Sequence, residues 1–294
     1  MKKILLQLDT DRCPSAFDSI AAYDAGVDIV QPYANVRPED VRDIVYGAIF
    51  TRGRDDLKNT AIWIGGTNFP QAEEMLKVIT GTFFGYFHVS VMLDAMGCTT
   101  TSAALVARIA QTIELRGCKA VIFGGGGRVG ARAATLMASE GARVLLALRR
   151  SPTVERAEAL CRDLRSRYGV EATCEVVETD SERQSALDGA TILVNTGPPG
   201  LRTVPRAIWS AVPTLQAVAD VNAVPPLGVE GVEMGDNGTV RDGKKSFGAI
   251  GLGIFKMKVH YACVAQLFER SDLVVDHVKG YEIAKEVAAT TAGT

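Results

Sequence analysis

Gly125, Gly127 and Gly130 stand in the spacing G-x-G-x-x-G within "AVIFGGGGRVGARAATLMASEG", after a short apolar run and before a helix-period segment. That pattern suits a pyrophosphate. The first glycine permits a tight strand-to-helix turn, the second lets backbone approach the anion, and the third lets the helix pack on its strand. N–H groups at the helix start then face the phosphates, with Arg128 and Val129 beside them inside the turn. A glycine fingerprint alone is weak evidence, and its place between a strand pattern and a helix pattern gives it weight.

About twenty residues further on, where dinucleotide sites for NAD carry an acid for the ribose hydroxyls, the sequence reads "LALRRSPT". Arg149 and Arg150 replace the carboxylate. A carboxylate would repel a 2′-phosphate, whereas guanidinium grips one with two parallel bonds. Ser151 and Thr153 add hydroxyl donors. NADP is therefore the expected cofactor. Its nicotinamide end should meet later strand ends: Thr196 and Gly197 in "ILVNTGPPG", and Asp220 and Asn222 in "AVADVNAVPPLG". Asp220 has the chemistry of a general base, yet an Asp–Asn pair at a strand end more often shapes its loop.

Other chemistries find little support. His88, His260 and His277 have no recognisable acid and nucleophile near them in sequence, which argues against a hydrolytic triad. Cys13, Cys98, Cys118, Cys161, Cys174 and Cys263 form no CxxC pair, so neither a metal site nor a disulfide framework is expected. A net charge of −2 leaves no footprint for nucleic acid or an anionic membrane. The start, "MKKILLQLDTD", has too short an apolar run for a signal peptide. A cytoplasmic enzyme without membrane or nucleic-acid partners is expected.

Elements must hold these residues in place. "KILLQL", "VDIVQPY", "TAIWIGG" and "FHVSVML" read as strands alternating with amphipathic helices, an order that favours a parallel sheet. A helix in "CTTTSAALVARIAQTIELRG" leads to a second β/α series: "KAVIFGG", "RVLLALR", "ATCEVVE", "ATILVNTG" and "TLQAVADVN". "GVEMGDNGTVRDGKKSFG" reads as a loop or hairpin, followed by two helices. The expectation is an α/β protein of two parallel-sheet domains. One spans residues 1–105 with the C-terminal helices of 251–294, and the second, residues 106–250, is a Rossmann-type dinucleotide-binding domain. The near-neutral charge and apolar C-terminal helices fit a homo-oligomer.

Over essentially its whole length the chain also resembles the bacterial NADP-dependent methylene-tetrahydromethanopterin dehydrogenases. The resemblance is carried by "LDTDRCPSAFD", "IFTRG", "MLDAMGCTTTSAA", "GGGGRVG", "ADVNAVPPLG" and "FGAIGLGIFKMKVH". It implies hydride transfer from the methylene bridge of a C1-carrying tetrahydropterin to NADP, with the pterin in a cleft between the domains. By matching motif it implies that Phe17, Asp18, Asp94, Thr100 and Thr101 line the pterin site. Asp18 would hold the amino and amide edge of the ring, and Lys256 would tune the electrostatics near the reacting carbon. Two alternatives stay open: a methylene-tetrahydrofolate dehydrogenase on the same scaffold, and a non-catalytic NADP-binding redox sensor.

Overall fold

The structure, a computed structural model, describes residues 1–149 and 154–291. Arg150, Ser151 and Thr153, expected at the 2′-phosphate, lie outside the described residues.

Along the chain, β1 (Ile4–Asp9), α1 (Ala16–Asp24), β2 (Ile29–Tyr33), α2 (Val41–Phe50), β3 (Thr60–Gly65), α3 (Phe69–Thr82) and β4 (Ser90–Leu93) lead into α4 (Cys98–Ala110). Then follow β5 (Lys119–Phe123), α5 (Arg128–Ser139), β6 (Arg143–Leu148), α6 (Val154–Tyr168), β7 (Ala172–Val176), α7 (Asp180–Leu187), β8 (Ile192–Asn195), α8 (Arg206–Ser210) and β9 (Ala217–Asp220). The last elements are β10 (Asn237–Arg241), β11 (Lys244–Phe247), α9 (Ala249–Gln266), β12 (Val274–Val275) and α10 (His277–Thr291).

Two compact units result: Met1–Thr100 with Met257–Thr294, and Thr101–Lys256. The divisions fall inside α4 and α9, the same helices that contain residues 105 and 250.

In the first unit five parallel strands run in the order β12-β4-β3-β1-β2. The buried strands β3 and β4 are almost continuously apolar, as expected where helices cover both faces of a parallel sheet. Ser15 caps α1 by accepting the Asp18 N–H at 3.2 Å, which fixes where the loop after β1 ends. "FHVSVML" yields a shorter strand than its apolar run suggested, and His88 precedes it. His88 instead places Nδ1 3.0 Å from the Ser271 carbonyl. Strand β12 went unanticipated, because two residues carry no period.

In the second unit the order is β10-β11-β9-β8-β5-β6-β7. From β7 to β11 every pairing is parallel, while β10 runs antiparallel to β11. The expected parallel sheet thus ends in an antiparallel hairpin. Its turn is made by Asp242 and Gly243, both at positive φ, which only a short turn-forming pair tolerates. Trp209 lies in the core of this unit with its indole N–H donating to Glu230 O at 2.9 Å. Among the described residues no helix is long and apolar enough to cross a membrane.

Candidate functional site

In open parallel sheets ligands lie beyond the carboxyl ends of the strands, where the strand order reverses. In the second unit that point is between β5 and β8, paired in register with Phe123 opposite Asn195. A cleft of about 730 Å³ opens there, bounded by Gly124, Gly126 and Gly127 after β5, Arg149 after β6, and Thr196 and Gly197 after β8.

Gly124, Gly125, Gly127 and Gly130 each meet a different constraint. Gly124, with φ of 72°, makes the turn, and a Cβ there would stand 2.6 Å from Gly197 N. The positive-φ residue is therefore Gly124 and not Gly125, to which the fingerprint assigned the turn. A Cβ on Gly125 would instead strike Leu146 Cδ2 at 2.7 Å, so this glycine lets the turn settle against β6. Gly127 precedes the first turn of α5, where N–H groups have no intrahelical acceptor. Its own Cβ would meet Gly124 O at 3.0 Å. A Cβ on Gly130 would stand 2.6 Å from Thr196 Oγ1, which confirms close helix–strand approach as its reason. Arg128 and Val129 are half-buried in that first turn.

This cradle fits a pyrophosphate, since the start of α5, whose first N–H groups have no intrahelical acceptor, borders the cleft at Gly126 and Gly127. Arg149 is exposed at the β6 edge of the cleft. Two arginines that sequence reasoning passed over, Arg183 and Arg202, also line it, together with Glu178. Arg183 is already engaged with Thr203 O at 2.6 Å and Asp180 at 2.8 Å.

Asp220 and Asn222 are buried and committed to shaping their loop. The Asp220 carboxylate accepts from Asn195 Nδ2 at 2.8 Å, Asn222 N at 3.1 Å and Val229 N at 2.8 Å. Asn222 Oδ1 accepts from Val224 N at 3.0 Å. With three hydrogen bonds accepted in a buried position, the Asp220 carboxylate ties the β8 and β9 ends to the loop that follows them. Thr196 donates to the Phe123 and Gly124 carbonyls, tying β8 to the glycine turn.

The reversal in the first unit lies between β1 and β3, with Asp9 level with Gly65. Asp18 sits over this point: a Cβ on Gly65 would be 3.0 Å from its Oδ2. Phe17 is exposed beside it and meets the His260 ring edge-on at 6.0 Å. Asp9 is buried and accepts the Asp11 and Ser15 N–H groups at 2.8 and 3.0 Å, holding the loop that delivers α1. Gly66, at φ of 91°, has no room for a Cβ because Thr10 Oγ1 would be 2.1 Å away.

Asp94 and Thr100, expected as substrate contacts, are 1% and 0% exposed. Asp94 accepts from the Thr99 and Thr100 N–H groups and the Thr100 hydroxyl, so it anchors the start of α4. Both side chains lie beneath the surface of the chain. Thr101 is half-buried in the next turn. Lys256 is half-buried on α9, one helical turn before His260. Among the described residues no group of three or more His, Cys, Asp or Glu could hold a metal ion.

Residues 16–96 match the family model "Methylene-tetrahydromethanopterin dehydrogenase, N-terminal", and residues 118–211 match "KR domain". The "Bifunctional protein MdtA" of Methylorubrum extorquens is 41% identical over 289 residues, covering 98% of this chain and 99% of that protein. From the same organism, the "NAD(P)-dependent methylenetetrahydromethanopterin dehydrogenase" is 30% identical over 296 residues, covering 98% and 99%. Among solved structures, shikimate 5-dehydrogenase from Listeria monocytogenes is 14% identical, covers 97% of this chain and 96% of its own, and has a TM-score of 0.53, a likeness of fold alone. Whole-length identity to both bacterial relatives makes this chain a member of the methylene-tetrahydromethanopterin dehydrogenase family.

Proposed function

We propose that this chain oxidises the methylene group of methylene-tetrahydromethanopterin, transferring a hydride to NADP to give methenyl-tetrahydromethanopterin and NADPH. The observation that carries the reading is the glycine-floored cleft with Arg149, not a carboxylate, at its β6 edge. It is joined by whole-length likeness to a relative named for this reaction. NADP, when bound, supplies the hydride acceptor.

The chain's residues bind and align. Gly127 and the first turn of α5 hold the pyrophosphate, and Arg149 the 2′-phosphate with Arg150 and Ser151. Thr196 and Gly197 lie toward the nicotinamide. Asp18, over Gly65, takes the pterin's N–H edge, and the exposed Phe17 ring offers an apolar face to the bicycle. Asp94 and Thr100 fix the start of α4, and the half-buried Thr101 beside them lines the pterin site. The product cation is shared by two substrate nitrogens, so no nucleophile or general acid is required of the protein, and alignment is its main task. Lys256 sets the charge environment of the reacting carbon. A cytoplasmic location belongs to the same reading, supported by six free cysteines, of which Cys13 is exposed.

The test follows reduced-nicotinamide absorbance with methylene-tetrahydromethanopterin and NADP, beside methylene-tetrahydrofolate and NAD. Turnover with the first pair is expected, falling strongly in Lys256→Ala while NADP affinity stays near that of the parent chain. NADP binding with no reduction by either carrier would overturn the reading in favour of a redox sensor. Preference for the folate carrier would reassign the substrate.

A further inference from the structure

Helix α6 buries Ala157, Cys161 and Leu164, a stripe at helical spacing that faces the sheet. Strand β7 carries a second cysteine, and the register of β6 with β7 says which way it points. Leu145 stands opposite Thr173, and Leu146 opposite Cys174. Residues opposite one another share a face of the sheet, and successive residues alternate between faces. Leu145 belongs to the core cluster with Leu187, Ile208 and Trp209 of α7 and α8. Leu146 and Cys174 therefore lie on the other face.

The two sulfurs meet there. Cys161 and Cys174 share a side-chain hydrogen bond across the contact of α6 with β7. The same contact is pinned a turn further along the helix, where the Arg165 guanidinium donates to the Ala172 carbonyl. A disulfide needs its β-carbons about 3.5–4.5 Å apart, a spacing that two thiols already in contact approach by small side-chain rotations.

Their surroundings give the two sulfurs different parts. Cys161 is 2% exposed, and burial, followed by the neighbouring sulfur, pushes it up to about 11. It stays a neutral thiol at neutral pH and does not start chemistry. Cys174 is half-buried on β7, the edge strand of its sheet, within reach of a small reagent. Arg165 and Arg162 favour negative charge on the sulfur beside them. A reachable sulfur backed by a sealed one in contact is suited to capture an oxidised cysteine as a disulfide before it oxidises further.

We propose that Cys161 and Cys174 form a reversible oxidation site for hydrogen peroxide. The ionised Cys174 sulfur attacks one peroxide oxygen, the O–O bond breaks, and the departing hydroxide takes up a proton and leaves as water. Cys174 is then a sulfenic acid. The Cys161 sulfur attacks the Cys174 sulfur, the S–O bond breaks, and the departing hydroxide takes the Cys161 proton to leave as a second water. Both thiols are oxidised to one disulfide, and the peroxide is reduced to water. Cys161 thus protects Cys174 from the irreversible steps of sulfur oxidation.

Peroxide treatment of the full chain at neutral pH, followed by alkylation and digestion without reductant, tests this by peptide mass. The parent should yield a cross-linked peptide that joins the segments containing Cys161 and Cys174 and that dithiothreitol separates. Cys161→Ala should give no cross-link. Its Cys174 should be trapped by dimedone as sulfenic acid, and without the trap should pass to sulfinic acid that dithiothreitol does not reverse. In Cys174→Ala, Cys161 should oxidise at least about tenfold more slowly than Cys174 does in the parent. The parent measurement involves no substitution, so it decides the proposal even should a variant lose its fold. A parent in which Cys174 reaches sulfinic acid with no cross-link would overturn the proposal. So would one in which both sulfurs stay reduced after the exposed Cys13 is fully oxidised, which would leave the two cysteines a packing pair.

Discussion

His260 Nδ1 lies 3.5 Å from Asp94 Oδ2, and both side chains are sealed from solvent. The Thr100 hydroxyl bridges them, 2.7 Å from the carboxylate and 3.5 Å from the imidazole. On its other side His260 packs on Trp63 at a ring separation of 4.8 Å and on Phe17 at 6.0 Å. One buried carboxylate thus fixes both the start of α4 and a histidine that supports the exposed Phe17.

Asp94→Ala should therefore act through structure. It leaves two backbone N–H groups and a hydroxyl without their acceptor in a dry site, a cost on the order of 3 kcal/mol. Asp94→Asn keeps one oxygen for the N–H groups and should cost less. The chain has two tryptophans, Trp63 in the first unit and Trp209 in the second. Urea unfolding followed by Trp63 emission in a Trp209→Phe background reads the affected unit directly. An unchanged midpoint for Asp94→Ala would contradict the anchoring role.

Gly130→Ala should weaken NADP binding and destabilise the second unit. Its Cβ would have to displace Thr196 Oγ1 from 2.6 Å and Gly124 O from 2.8 Å, moving α5 off the strand ends that form the cleft floor. An overpacked site of this kind costs about 1–3 kcal/mol. Gly127→Ala meets a milder 3.0 Å contact, so its effect should fall on affinity more than on stability. Calorimetric titration with NADP and thermal unfolding of both variants separate the two. Equal stability losses would show that Gly127 is a packing glycine too.

How much of this was legible in the sequence follows from what each residue depends on. The glycine turn and its helix are local, and spacing alone located them. The need for Gly124 depends on Gly197, brought close only by the pairing of β5 with β8, so no local pattern revealed it. Asp94 stood out within its motif, but residue type cannot say whether a carboxylate faces a ligand or caps a helix. Asp9, Gly65 and Gly66 were passed over although "LD" and "IGG" close two strand patterns. The signal that could have found them is the rule that chemistry gathers at carboxyl ends of parallel strands. His260 looked like an ordinary helical histidine, since its partners come from distant elements.

Arg149→Asp should raise the apparent KM for NADP at least about tenfold while leaving that for NAD within about threefold. The introduced carboxylate would face a 2′-phosphate dianion but only hydroxyls in NAD. Steady-state kinetics with both cofactors check this. Arg183 and Arg202 line the same cleft, so equal losses for both cofactors would move the 2′-phosphate site toward them.

Acid should unfold the second unit partly through Asp236. Burial pushes its pKa up, yet this is outweighed by the Arg241 guanidinium, the Glu233 N–H and the Ser246 hydroxyl, which together hold it below the ordinary carboxylate value. Arg241 binds it through Nε at 2.6 Å and a terminal nitrogen at 2.7 Å, while Ser246 donates at 2.8 Å and Glu233 N at 2.9 Å. With the folded pKa depressed, the unfolded chain takes up this proton first on acidification. The stabilisation is complete above the unfolded value near 4 and is lost as pH falls through the folded one. Asp236→Asn should lower stability at neutral pH by on the order of 2 kcal/mol, because it removes the buried charge that Arg241 grips and leaves that guanidinium only the exposed Glu233 carboxylate. It should also flatten the acid limb, since the variant has no proton to gain there. Urea midpoints from pH 7 downward, read by Trp209 emission in a Trp63→Phe background, give both quantities. An acid limb equally steep in Asp236→Asn and in the parent would assign the acid sensitivity to other carboxylates and leave Asp236 a purely neutral-pH contributor.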